Sequence, residues 1–61
     1  MYMCHKLAKN LIVEHGFNQR KLAVKLELPK AYFSEWLNGK RILQSDEVER
    51  IRMYFASLNL I

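Results

Sequence analysis

The sequence predicts an all-α fold, with four helices in one domain spanning residues 1–61. Three observations predict it. The chain is 51% hydrophobic yet holds only two Gly and one Pro, too few turn-formers for a loop-rich or all-β architecture. Apolar residues recur three and four positions apart in four separate stretches, which is the period of a helix with one buried face. Between the stretches stand residues that stop or start helices: Gly16, Asn18, Pro29, Asn38-Gly39 and Ser45.

The first helix is expected over residues 2–15. Met3, Leu7 and Leu11 form one column at four-residue spacing, and Cys4, Ala8 and Ile12 form the column beside it. Gly16 is a natural stop. Asn18 can cap a second helix over residues 19–26, with Leu22, Ala23 and Leu26 on its inner side. The small side chain of Ala23 would let a crossing helix come close. A turn at Glu27-Leu28 leads to a third helix over residues 29–37, where Pro29 suits the first position because its missing N–H costs nothing there. Phe33, Trp36 and Leu37 are the apolar side of that helix, and Asn38-Gly39 ends it. After a loop over residues 40–44, Ser45 can cap the fourth helix, and Asp46, Glu47 and Glu49 suit its positive end. Val48, Ile51, Phe55 and Leu58 supply its buried face. Leu60 and Ile61 either pack on the first helix or join copies of the chain.

Composition excludes several classes of function. A domain of this size buries only ~60% of its unfolded surface, which leaves little room for a deep active-site cleft. No apolar run approaches the ~20 residues that span a membrane. Lys6, Lys9 and Asn10 interrupt the first apolar stretch, so no signal-peptide core is visible and the chain is not expected to be secreted. One cysteine forms no internal disulfide and suits a reducing compartment. Cys4 and His5 are neighbours on a helix and point about 100° apart, and His15 is remote, so the spacing of a zinc site is missing. Ser34 has no nearby His to activate it, and Gly39-Lys40 lacks the rest of a phosphate-binding loop. No catalytic residue, metal, cofactor or small-molecule substrate is therefore expected, and Cys4 reads as a small buried apolar residue.

Charge is unevenly placed. Over residues 17–41, Arg20, Lys21, Lys25, Lys30, Lys40 and Arg41 face only Glu27 and Glu35, so the whole formal net charge of +4 lies on this segment. Elsewhere Lys6, Lys9, Arg50 and Arg52 balance Glu14, Asp46, Glu47 and Glu49. A localised positive field is what a polyanion partner requires, although solubility alone also uses surface charge.

The same segment reads as a unit. Over residues 18–40 a short capped helix, a tight turn and a second helix ending in Asn-Gly follow one another, with apolar residues where two steeply crossing helices need them. That is the pattern of a helix-turn-helix, formed by helices two and three. Gln19, Leu22-Ala23, Leu26, Leu28, Phe33, Trp36 and Asn38-Gly39 stand without a gap where the lambda-repressor-like superfamily has its motif residues. The segment thus resembles the helix-turn-helix of phage repressors and Cro proteins. From Ala8 onward the chain is also similar to the atypical POU-specific domain of hepatocyte-nuclear-factor type, through Ala8-Lys9, His15, Gln19-Arg20, Leu28, Ser34 and Leu37-Asn38. The resemblance implies a compact four-helix DNA-binding fold and a role in transcription regulation. It implies a nucleoid or cytoplasmic setting on the bacterial and phage branch, and a nuclear one on the eukaryotic branch. The chain departs from the pattern at Glu27, where the turn usually has glycine. A left-handed Glu27 would cost about 1 kcal/mol or more unless the turn has another shape. The fifth helix with which many repressors dimerise is also missing.

Within that reading, a recognition helix reads bases with side chains near its N-terminus. Lys30 can donate to guanine, Ala31 can pack on a thymine methyl, Glu35 can accept from cytosine, and Ser34 is adaptable. The family pattern places a phosphate contact at Gln19, where a helix N-terminus favours an anion. Arg20, Tyr32, Asn38, Lys40 and Arg41 are the further phosphate contacts, which set register and affinity. Four of these have a plainer alternative: Lys30 and Lys40 as solvated charges, Tyr32 on the edge of the core, Glu35 as an ion-pair partner of Arg41 or Lys40. Trp36 shares a side with Phe33 and reads as core. The expected partner is double-stranded DNA. One copy gives a small footprint, so useful affinity calls for a homodimer or a tethered second DNA-binding domain. The rival reading is a protein-interaction module that keeps the fold and uses the third helix or the apolar tail, because fold alone does not fix function.

Overall fold

A computed structural model of the chain describes residues 3–61. The four helices are α1 (His5–His15), α2 (Gln19–Lys25), α3 (Lys30–Leu37) and α4 (Ser45–Ser57). No strand occurs among the described residues. The expected start of the first helix at Tyr2 lies outside them.

In α1 the buried stripe is Ala8, Leu11 and Ile12. Two expectations fail here. Leu7 is 37% exposed, because at 100° per residue it falls about 40° beyond Leu11, off the edge of the stripe. Cys4 is exposed, because it is the extended N-cap residue of α1 and takes no place on the helix face. Met3, just before it, is fully buried.

The other helix starts follow from local hydrogen bonding. Asn18 caps α2 as expected, its Oδ1 accepting the Lys21 N–H at 3.0 Å. Pro29 is the N-cap of α3 and not its first helical residue, since its ψ of 134° is extended. Its carbonyl still accepts the first helical bond, from the Phe33 N–H at 3.0 Å. At α4 the cap is Gln44, one residue before the expected Ser45. The cause is Glu47, whose Oε1 accepts the Gln44 N–H at 2.9 Å and thereby fixes the third helical position.

All four helices end in one device. A left-handed residue follows each: Gly16 (φ 68°), Glu27 (φ 58°), Gly39 (φ 73°) and Asn59 (φ 60°). The next N–H then reaches back five residues, Phe17 to Ile12, Leu28 to Ala23, Lys40 to Glu35 and Leu60 to Phe55, at 2.8–3.1 Å. This is the Schellman motif, whose final residue is commonly apolar and folds onto the helix. Phe17, Leu28 and Leu60 do so and join the core. The fourth, Lys40, is exposed, so the chain leaves α3 along the surface.

Helix α3 packs against both α1 and α2 and buries Phe33, Trp36 and Leu37. Helix α4 closes the core with Val48, Ile51 and Phe55, and the Phe55 ring meets Phe17 edge-on at 5.8 Å. Leu43, in the α3–α4 loop, is buried as well. Leu58 was expected on the buried face but is 43% exposed, because it is the C-cap residue, past the last turn of α4. Leu60 packs on the core, whereas Ile61 is 39% exposed. Among the described residues the core contains no buried polar side chain.

Candidate functional site

The outward side of α3 carries Lys30, Ala31, Tyr32 and Asn38, all exposed, with Ser34 and Glu35 half-buried between them. The residues expected to contact DNA bases, Lys30, Ala31, Ser34 and Glu35, therefore share one helix with its opposite side locked into the core. The helix is supported from both neighbours, so its outer side chains stand on a rigid element.

Glu35 and Arg41 do not stand free. The Arg41 Nε donates to Glu35 Oε1 at 2.6 Å, and the Arg41 guanidinium lies 3.8 Å above the Tyr32 ring. The Glu35 hydrogen bond, more than any other influence, raises the Arg41 pKa above its ordinary value. Tyr32, Glu35 and Arg41 thus form one cluster. The ion-pair reading of Glu35 is the arrangement found, and Arg41 is its partner. A base contact by Glu35 or a phosphate contact by Arg41 would require this exposed pair to open. Surface pairs of this kind contribute roughly 0–1 kcal/mol, so opening one costs little.

Asn38 is also occupied. Its Oδ1 accepts Lys9 Nζ at 2.7 Å, and its Nδ2 donates to the Ser34 carbonyl at 3.0 Å. Nearby, the His5 ring stands edge-on to Trp36 at 6.4 Å and overlies Gly39, where a Cβ would come within 3.0 Å of His5 Nε2. Helix α1 therefore encloses the C-terminal end of α3. Gln19 and Arg20 lie exposed at the start of α2, and Lys40 and Ile42 lie exposed in the loop after α3. Ile42 is 94% exposed, the barest large apolar side chain among the described residues.

Two open clefts flank these elements. One of about 300 Å³ is bordered by Phe17, Lys21, Leu22, Lys25 and Tyr54. The other, about 330 Å³, is formed by His5, Lys6, Lys9, Asn10, Leu37 and Asn38. No group of His, Cys, Asp and Glu among the described residues can hold a metal ion. No described helix is long and apolar enough to cross a membrane. Comparison with protein-family models, with curated proteins and with solved structures gives no match for the chain.

Sequence reasoning missed two sets of residues. Lys6 and Lys9 counted as part of a neutral remainder, yet the fold places them beside Asn38. Their spacing with His5 and Asn10 marks the polar side of α1, but periodicity does not say which neighbour that side adjoins. Arg50 was likewise counted as balanced charge. Its Nη1 donates to the Leu26 carbonyl at 2.7 Å, which ties α4 to the turn between α2 and α3. No sequence signal marks that long-range bond.

Proposed function

We propose that this chain binds double-stranded DNA in a sequence-specific manner, with α3 in the major groove. It would act as a transcriptional regulator or as the DNA-binding module of one. The observation that carries the reading is the outward side of α3. Lys30, Ala31 and Ser34 lie on a helix held from behind by α1 and α2, Lys30 and Ala31 at its start, and Arg20 at the start of α2 and Lys40 after α3 are exposed cations. The resemblance of residues 17–40 to the lambda-repressor-like helix-turn-helix supports it. In this reading Lys30, Ala31 and Ser34 contact bases, and Glu35 does so once released from Arg41. Gln19, Arg20, Tyr32, Asn38, Lys40 and Arg41 border the phosphates.

The largest dimension of the molecule is 25 Å, which at 3.4 Å per step covers about seven base pairs. Specificity in a genome then calls for a second copy on a two-fold site or a tethered second module.

The test is fluorescence anisotropy with random-sequence duplex DNA across a salt series. Affinity should fall steeply between 50 and 200 mM salt, as it does when several phosphates are neutralised (to about 10³-fold or more for six contacts). Lys30→Glu with Lys40→Glu should abolish binding without unfolding the chain. Absence of binding at low salt would reject the reading.

A second reading rests on Ile42, in the loop after α3, and Val24, on α2, which are 94% and 64% exposed. Such residues suit a protein partner whose interface would be nearly insensitive to salt. A partner retained at high salt and by the double Lys→Glu variant would favour that reading.

A further inference from the structure

We infer that the cleft between α1 and α3 binds a phosphate of the DNA backbone, with Lys6 and Lys9 as its cationic ligands. The inference rests on the DNA-binding reading and extends it to a helix outside the helix-turn-helix segment. Three observations carry it. The Lys9 Nζ is fixed at 2.7 Å from Asn38 Oδ1, so one of its three N–H donors orients the ammonium and two remain for an anion. The cleft of about 330 Å³ has Lys6, Lys9, Asn10 and Asn38 on its walls and no carboxylate. The other cations outside the α2–α3 segment are already engaged, Arg50 with the Leu26 carbonyl and Arg52 with Glu49.

The position of the cleft fits the geometry of a groove. The eight residues of α3 rise about 12 Å, close to the width of the major groove. With the Lys30 end against the bases, the Asn38 end lies where the bordering phosphates pass. Cations from α1 gathered at that end meet the backbone there. Asn38 then positions Lys9 as well as facing the phosphate itself, which gives a role to a hydrogen bond between two exposed side chains.

The experiment compares the salt slope of duplex binding for the unaltered chain, Lys6→Gln/Lys9→Gln and Lys6→Arg/Lys9→Arg. Each lost phosphate contact should reduce the steepness of log K against log salt by about 0.9, so the Gln variant, which loses the one phosphate of the cleft, should lose about 0.9. The loss should be the same for every duplex sequence. The Arg variant should keep the original slope, and Arg52→Gln, whose guanidinium is paired with Glu49 on α4, should not change it. Circular dichroism should show all variants folded, since both lysines are exposed. A Gln variant with the original slope overturns the inference while the DNA reading stands. An unaltered chain that binds no duplex overturns both. Inorganic phosphate is the second arm. A saturable shift of the Asn38 side-chain amide resonance with phosphate alone, together with an unchanged salt slope, would assign the cleft to the free anion and overturn the backbone contact.

Discussion

Glu27 holds φ at 58°, a conformation that costs a residue with a Cβ about 1 kcal/mol relative to glycine. The strain persists because the surroundings fix it. The Leu28 N–H reaches the Ala23 carbonyl at 2.9 Å, and Arg50 holds the Leu26 carbonyl from the far side. Glu27→Gly should therefore raise unfolding stability by about 1 kcal/mol, seen as a higher urea midpoint with an unchanged slope. A lower midpoint would mean that the Glu27 side chain makes a stabilising contact of its own. The two natural glycines allow a sharper comparison. Gly16 has open space where a Cβ would stand, whereas at Gly39 it meets His5 Nε2 at 3.0 Å. Gly16→Ala should cost only the backbone strain, about 1 kcal/mol. Gly39→Ala should cost more, and the excess should vanish in a His5→Ala background. A thermal-unfolding double-mutant cycle measures it, and an excess that survives removal of His5 would rule out the steric cause.

The helices themselves were largely legible, because their signals are local. Asn18 caps where a capping residue was expected, and Phe33, Trp36 and Leu37 are buried on the spacing that placed them. Errors cluster at ends, where one residue changes its side. Cys4 and Leu58 lie just outside their helices and are exposed for that reason. The cap of α4 is Gln44 and not Ser45, because the glutamate three residues on accepts the Gln44 N–H. What stayed illegible is which element faces which. The Lys9–Asn38 and Arg50–Leu26 bonds span 29 and 24 residues, and no period in the sequence encodes them. Within α4, Glu49 accepts from Arg52 Nε and Nη2, the closest contact at 2.6 Å. That hydrogen bond lowers the Glu49 pKa below the ordinary 4.5. A carboxyl lowered on folding stabilises above its unfolded value and loses that contribution as pH falls through its folded value. Stability should thus decline below about pH 4.5, and Glu49→Gln should flatten part of that decline in acid titrations followed by circular dichroism. An unchanged acid limb would show that the pair is too solvent-screened to matter.

For the whole molecule, the margin is thin. A 61-residue chain has a stability of roughly 3–9 kcal/mol at typical values per residue. Phe55 is fully buried and meets Phe17, which follows α1. Phe55→Ala should cost about 3–5 kcal/mol, a large share of that stability. A calorimetric scan would show the transition shifted to low temperature or lost, and a transition close to the original would mean that the core closes over the gap. The same thinness has a consequence for lifetime. The helices run to only 11, 7, 8 and 13 residues, and isolated helices shorter than about 12–15 residues are marginal in water. No single helix has a fold to fall back on when its neighbours leave. A single protease cut in the Lys40–Ile42 loop, the exposed stretch beside α3, would therefore part α4 from the other three helices and open the core that they share. Cleavage there would expose both pieces to further degradation, so the lifetime of the whole fold rests on one short loop.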